Sequence, residues 1–88
     1  MRMIEKKVWP EYFQLVLDGK KNFELRLADF DISEGDLLIL KEWDNTKKEY
    51  TGREIEKEVT YIAITKGAEK FWPKEKIDEF GFQIISFK

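Results

Sequence analysis

Residues 9–27 read Trp-Pro-Glu-Tyr-Phe-Gln-Leu-Val-Leu-Asp-Gly-Lys-Lys-Asn-Phe-Glu-Leu-Arg-Leu, and the hydrophobic period changes in the middle of the run. From Pro10 to Asp18, Phe13, Val16 and Leu17 recur at i, i+3 and i+4, with Tyr12 and Leu15 widening the stripe. That spacing predicts a helix over about 10–18. Pro10 suits the first turn, where a missing N–H costs nothing. Gly19 falls where a left-handed cap is expected, and Lys20 and Lys21 follow at the negative end of the helix, where cations are favoured. From Asn22 onward the period is two: Phe23, Leu25 and Leu27 share one face, Glu24 and Arg26 the other. Alternation of this kind predicts a half-buried strand.

Working outward, Ile4 to Val8 reads as a short strand. Ala28 to Asp36 is polar and ends in the turn signal Glu34-Gly35-Asp36. Leu37 to Trp43 opens with four consecutive apolar residues, the pattern of a strand covered on both faces. Asp44 to Lys48 is a loop suited to a hairpin, with Thr51-Gly52 a bend or the hairpin's own closure. Glu54 to Thr65 is β-prone from Val59 onward. Thr65 to Lys76 has no clear period. A short helix is expected near 74–80, ended by Gly81, and Phe82 to Phe87 reads as a closing strand. The order is β, α, then mostly β. Five or six strands with one main helix predict a mainly β, α+β domain, a small mixed sheet closed into a barrel with the helix against one side. Residues 1–88 form a single domain on this reading.

The chain has 88 residues, 42% hydrophobic and 15% aromatic, with a formal net charge of −2. It lacks both cysteine and histidine. Disulfides, thiolate zinc sites, cysteine nucleophiles and histidine-based triads are thereby excluded. No metal site and no cofactor are expected. The charge is uneven: residues 1–26 carry six basic and four acidic side chains, residues 27–52 three and seven, residues 53–88 seven of each. An anion site should draw on the first segment. No apolar run reaches the ~20 residues of a membrane span, and the first residues lack a signal-peptide core. A cytoplasmic monomer without a membrane partner is expected. Lys (13) and Glu (12) outnumber Asn and Gln (four together), a bias found in proteins from hot environments.

The window from Gly19 to Arg26 carries the most chemistry. Glu24 and Arg26 lie two apart on one strand face, close enough to pair, and Lys21 stands at the turn. Converging, they make a cationic pocket whose carboxylate orients the arginine, suited to a phosphate or to a nucleobase edge with donors and acceptors. The same residues also read as an exposed ion pair worth ~0–1 kcal/mol beside an ordinary helix end. Lys20 joins the site on proximity. Trp43 could stack on a base, Trp9 or Tyr61 less readily, although aromatics in small barrels usually fill the core. Arg53 could reach a phosphate or simply face water. Glu54, Glu56 and Glu58 read as a solvated edge discouraging sheet-to-sheet association. Asp29, Asp31 and Asp36 lack calcium-loop spacing. Phe71-Trp72-Pro73 is the one apolar loop suited to a protein partner.

Gly19-x-Lys21-x-x-Glu24-x-Arg26 resembles the G-x-K-x-x-E-x-R signature of the ASCH domain family, in its small single-domain subgroup. Trp9-Pro10-Glu11-Tyr12-Phe13, Gly35 to Leu40, Glu42-Trp43-Asp44 and Tyr50 to Arg53 resemble it too, and the likeness weakens after Thr65. The resemblance implies a PUA-like barrel that binds RNA or nucleotides through a cleft beside the motif, in RNA metabolism or translation regulation. It places Lys21, Glu24 and Arg26 in that cleft. Some family members are hydrolases of acetylcytidine or RNA; on that alternative Lys21 and Glu24 would be catalytic. The amidohydrolase members, however, place a threonine nucleophile where this chain has Glu24, and a glutamate cannot do that job in the same way. A binding module is therefore expected ahead of an enzyme, with a protein-interaction or regulatory domain as the third class.

Overall fold

The computed structural model describes residues 1–64 and 72–88. Its elements are β1 (Met3–Val8), α1 (Pro10–Leu17), β2 (Phe23–Leu27), β3 (Leu37–Asp44), β4 (Glu49–Ile64), α2 (Lys74–Phe80) and β5 (Phe82–Phe87). The five strands make one mixed sheet in the order β1-β3-β4-β5-β2. β1 runs parallel to β3, and the other neighbours are antiparallel. The protein is thus a mainly β, α+β domain, with two helices among the described residues, as its periodicities predict. No described helix is long and apolar enough to cross a membrane.

The apolar run Leu38-Ile39-Leu40 is buried because β3 lies between β1 and β4. Leu38 and Leu40 join Val8, Phe13, Val16, Val59, Ile85 and Phe87 in the core. α1 supplies only Phe13 and Val16 to it. Tyr12, Leu15 and Leu17, counted in the helical stripe, are exposed: an eight-residue helix laid across a curved sheet covers too narrow a strip to hide them. The C-terminus of α1 closes as a Schellman motif. Gly19 sits at φ +77°, its N–H donates to Val16 O at 3.0 Å, and Lys20 N–H donates to Leu15 O at 2.9 Å. Lys21 N–H also reaches Leu15 O, at 3.1 Å, which fixes the direction in which the chain enters β2.

Among the described residues the expected closure into a barrel does not occur. β1 and β2 stand at opposite ends of the strand order, and no ladder joins them. β2 is short and spends one edge entirely on β5. Its other edge meets β1 through a side chain: the Arg26 guanidinium donates to the Lys7 carbonyl.

The hairpin joining β3 and β4 carries a bulge. Lys41 pairs with Glu54 and Trp43 with Tyr50, so Glu42 alone faces Thr51-Gly52-Arg53. Gly52 makes this feasible at φ +97°, a conformation L side chains resist. Glu54, Glu56 and Glu58 are exposed along β4, but only the first two lie where β4 pairs with β3 alone, since Glu58 also exchanges backbone hydrogen bonds with Lys88. Phe71 lies outside the described residues. Its neighbour Trp72 packs on Phe82, ring centroids 4.4 Å apart.

Candidate functional site

The opening between β1 and β2 is a cleft of about 470 Å³. Lys7 and Val8 line it from the end of β1, Trp9 and Tyr12 from the start of α1, and Lys21 with Phe23 to Arg26 from the turn and β2. The gap left by an unclosed sheet and the charged motif are therefore the same place.

β2 alternates as expected, but its buried position is a charged one. Glu24 is only 4% exposed, whereas Phe23 and Leu25 are each 46% exposed. Glu24 is tolerated there because both carboxylate oxygens are satisfied by cations. Lys21 Nζ donates to Oε1 at 2.7 Å, and Arg26 Nε donates to Oε2 at 2.8 Å. Lys21 Nζ also donates to the Phe23 carbonyl at 2.7 Å and lies 4.9 Å from the Phe23 ring centroid. The three residues share one concave surface, as a functional reading of the motif requires. Two cations thus meet one carboxylate, while Lys7 lines the cleft with its ammonium turned to Trp43. Above this floor Trp9 and Tyr12 stack at 6.5 Å and 28°, each nearly half exposed. A charged floor under an open aromatic rim accepts a planar ring on its face and an anion at its edge.

The other named residues lie elsewhere. Lys20 is exposed and does not line the cleft. Trp43 is half-buried: Lys7 Nζ sits 3.8 Å from its ring centroid, and Tyr50 meets it edge-on at 5.0 Å. Its face is already occupied by a cation. Tyr61 is exposed on β4, outside the cleft. Arg53 is exposed, with 48% of its side chain accessible, yet it is paired. Its Nε donates to Glu42 Oε1 at 2.9 Å and its Nη2 to Glu42 Oε2 at 2.8 Å, while its guanidinium lies 4.9 Å from the Phe13 ring centroid. Thr51 Oγ1 adds a third bond to Glu42 at 2.6 Å. The Arg53 bond lowers the Glu42 pKa, against the opposing effect of burial, and Glu42 in turn raises that of Arg53. Lys7, Tyr12 and Phe23 line the cleft without having been singled out for it. Only the alternation that sends Phe23 to the opposite face from Glu24 hinted at one of them.

Asp36 is buried, accepting from the Arg2 and Ser33 backbone N–H groups at 2.9 and 2.8 Å. These bonds, that of Arg2 foremost, hold its pKa below the usual carboxylate value. No cluster of three or more carboxylates able to hold a metal ion occurs among the described residues.

A family model described as Domain of unknown function (DUF3850) matches residues 4–72, a span that contains the whole cleft. An uncharacterized 12.9 kDa protein in the GpA 3' region of Escherichia phage P2 is 45% identical over 58 residues, 66% of this chain and 51% of the relative. The chain thus spans about half the length of that curated relative. Among solved structures, the crystal structure of hypothetical protein PH0355 matches with a TM-score of 0.73 at 20% identity, covering 100% of this chain and 98% of that one. This likeness shows a shared fold.

Proposed function

We propose a function for a chain that belongs to the family described as Domain of unknown function (DUF3850): it binds RNA or a nucleotide in the cleft between β1 and β2. The observation that carries this is the convergence of Lys21, Glu24 and Arg26 on one concave surface beneath the Trp9–Tyr12 rim. Glu24 holds both cations in place. Arg26, with Nε and Nη2 committed to protein acceptors, has Nη1 without a hydrogen-bond partner among the described residues, available for a phosphate. Lys21 offers its third donor to a phosphate or carbonyl oxygen. The likeness of Gly19 to Arg26 to the ASCH signature supports the same reading, with a PUA-like ancestry and a cytoplasmic place in RNA metabolism or translation regulation.

The position of Glu24 supports anchoring over base catalysis, since both its oxygens already accept from fixed cations. Titration of short RNAs and nucleotides at low salt, followed by amide chemical shifts, tests the proposal. Saturable shifts concentrated at residues 21–26 are expected; their absence overturns it. Incubation with acetylcytidine and labelled RNA separates binding from turnover, and turnover lost in Glu24→Gln would favour an enzyme.

A further inference from the structure

A second hollow of about 260 Å³ adjoins the cleft on the far side of Arg26. Arg26 and Leu25 line both. The second is otherwise bounded by Lys6 of β1, by Leu27 and Asp29, and by the rings of Phe30 and Trp72. Resting on the nucleotide reading above, we infer that the site takes single-stranded RNA of at least two nucleotides, one base in each hollow and the connecting phosphate at Arg26.

The charges set that register. In the first hollow Lys21 and Arg26 gather about one carboxylate, Glu24, which leaves one cation in surplus there. In the second, Lys6 and Asp29 balance, so its one surplus cation is the Arg26 that both hollows share. The second is the better place for a base, whose ring can lie against Phe30 or Trp72 while Asp29 accepts from an exocyclic amino group. Lys6 Nζ sits 3.7 Å from the Phe30 ring centroid, so a base stacking on that face has to displace the ammonium. Size agrees. The first hollow falls in the ~300–1,000 Å³ range of small-molecule sites, and the second lies just under it, enough for a lone planar base but not for a whole nucleotide. Arg26, 28% exposed in its side chain, stands between them with Nη1 uncommitted among the described residues.

The test compares AMP with the dinucleotide ApA by calorimetry and amide shifts at low salt. ApA is expected to bind about tenfold more tightly, the equivalent of ~1.4 kcal/mol, with shifts extending to Phe30 and Trp72 that AMP does not cause. Phe30→Ala is expected to bring ApA affinity down toward that of AMP. Because Phe30 also packs against the core, Lys6→Gln serves as a second variant and is expected to weaken ApA more than AMP. AMP binding with no gain for ApA overturns the two-hollow inference and leaves the nucleotide reading standing. Binding of neither probe overturns both.

Discussion

Arg53 closes both prongs of its guanidinium on the buried carboxylate of Glu42, Nε on Oε1 at 2.9 Å and Nη2 on Oε2 at 2.8 Å. The pair joins β4 to β3 across the bulge at Gly52, and Arg53 Nη2 extends to Gln14 Oε1 of α1 at 3.4 Å. One side chain thus ties α1, β3 and β4 together. Arg53→Ala removes the fork and leaves Glu42 buried with only the Thr51 hydroxyl. The melting temperature followed by circular dichroism is expected to fall by several degrees. Arg53→Lys is expected to recover only part of that loss, because a point charge cannot reproduce a planar two-pronged contact. Full recovery by lysine would show that charge alone matters.

The same carboxylate makes stability sensitive to acid. The pKa of Glu42 is lowered, first by the Arg53 hydrogen bond; that of Asp36, first by the Arg2 backbone N–H; that of Asp44, first by the Lys47 backbone N–H. On unfolding they return to ordinary values of 4.5 for Glu42 and 3.8 for the two aspartates. Between the folded and unfolded values the unfolded chain binds more protons, so acid favours unfolding. The contribution is complete above the ordinary values and disappears as pH falls through the folded ones. Melting temperature should therefore be flat from neutrality to about pH 5 and drop below it. Glu42→Gln should start lower and fall less steeply over the acid range. An unchanged acid slope in that variant would remove Glu42 from the account.

How much of this was legible in the sequence depends on how far each interaction reaches. The helix from Pro10, its end at Gly19, the strand to Leu27 and the short helix before Gly81 are local, and period and capping residues define them. The pairing of Glu24 with Arg26 follows from two-residue spacing. Which face of β2 is buried does not follow, because alternation gives two faces and not their destinations. Glu24 goes inward since Lys21 and Arg26 satisfy it there, and Phe23 goes outward to the rim. The open sheet was likewise hidden, since β1 and β2 are joined through α1 and their failure to pair is decided by β3 and β5 capturing them. Arg53 looked like a loop cation because its partner lies 11 residues away across a bulge. Whether Trp43 stacks on a base or packs within the fold stayed open because Lys7, which covers it, is on the first strand.

Gly19 offers a test of how the cleft is positioned. An added Cβ there would meet nothing within 4 Å, so crowding is not at issue. The backbone, at φ +77°, is. Gly19→Ala is expected to destabilise the fold by about 1–2 kcal/mol, the cost of a left-handed conformation for an L residue. Each kcal/mol corresponds to about 4–8 °C in a domain of this size. Gly19→Asn should lose less, since asparagine tolerates that region. A neutral alanine variant would mean that the turn into Lys21 can re-form another way.

Leu40 tests the core independently of any charge. It is fully buried at the centre of β3 and packs in the main cluster. Leu40→Ala is expected to cost about 2–5 kcal/mol through lost transfer free energy and the cavity left behind. Against a total of ~5–15 kcal/mol for a natural domain, urea denaturation should show a much lower midpoint. A loss well under 1 kcal/mol would mean that the strands beside Leu40 can collapse into the space.

The binding proposal makes a quantitative statement about salt. Lys21 and Arg26 are the cations that meet at the cleft's carboxylate, the Lys7 ammonium lying over Trp43 instead. Each phosphate neutralised on a single strand contributes about −0.7 to the slope of log binding constant against log salt concentration. Two such contacts set a slope of about −1.4. Lys21→Gln should reduce its magnitude by about 0.7 and weaken all short RNAs alike, the behaviour of a phosphate contact. Arg26→Lys keeps the charge, so it should preserve the slope while lowering affinity, because lysine cannot hold Glu24 Oε2 and the Lys7 carbonyl while also presenting a planar fork. Fluorescence anisotropy of a labelled RNA across a salt series measures both. If Lys21→Gln left the slope unchanged, the cleft would not be where the phosphates lie, whatever the affinity.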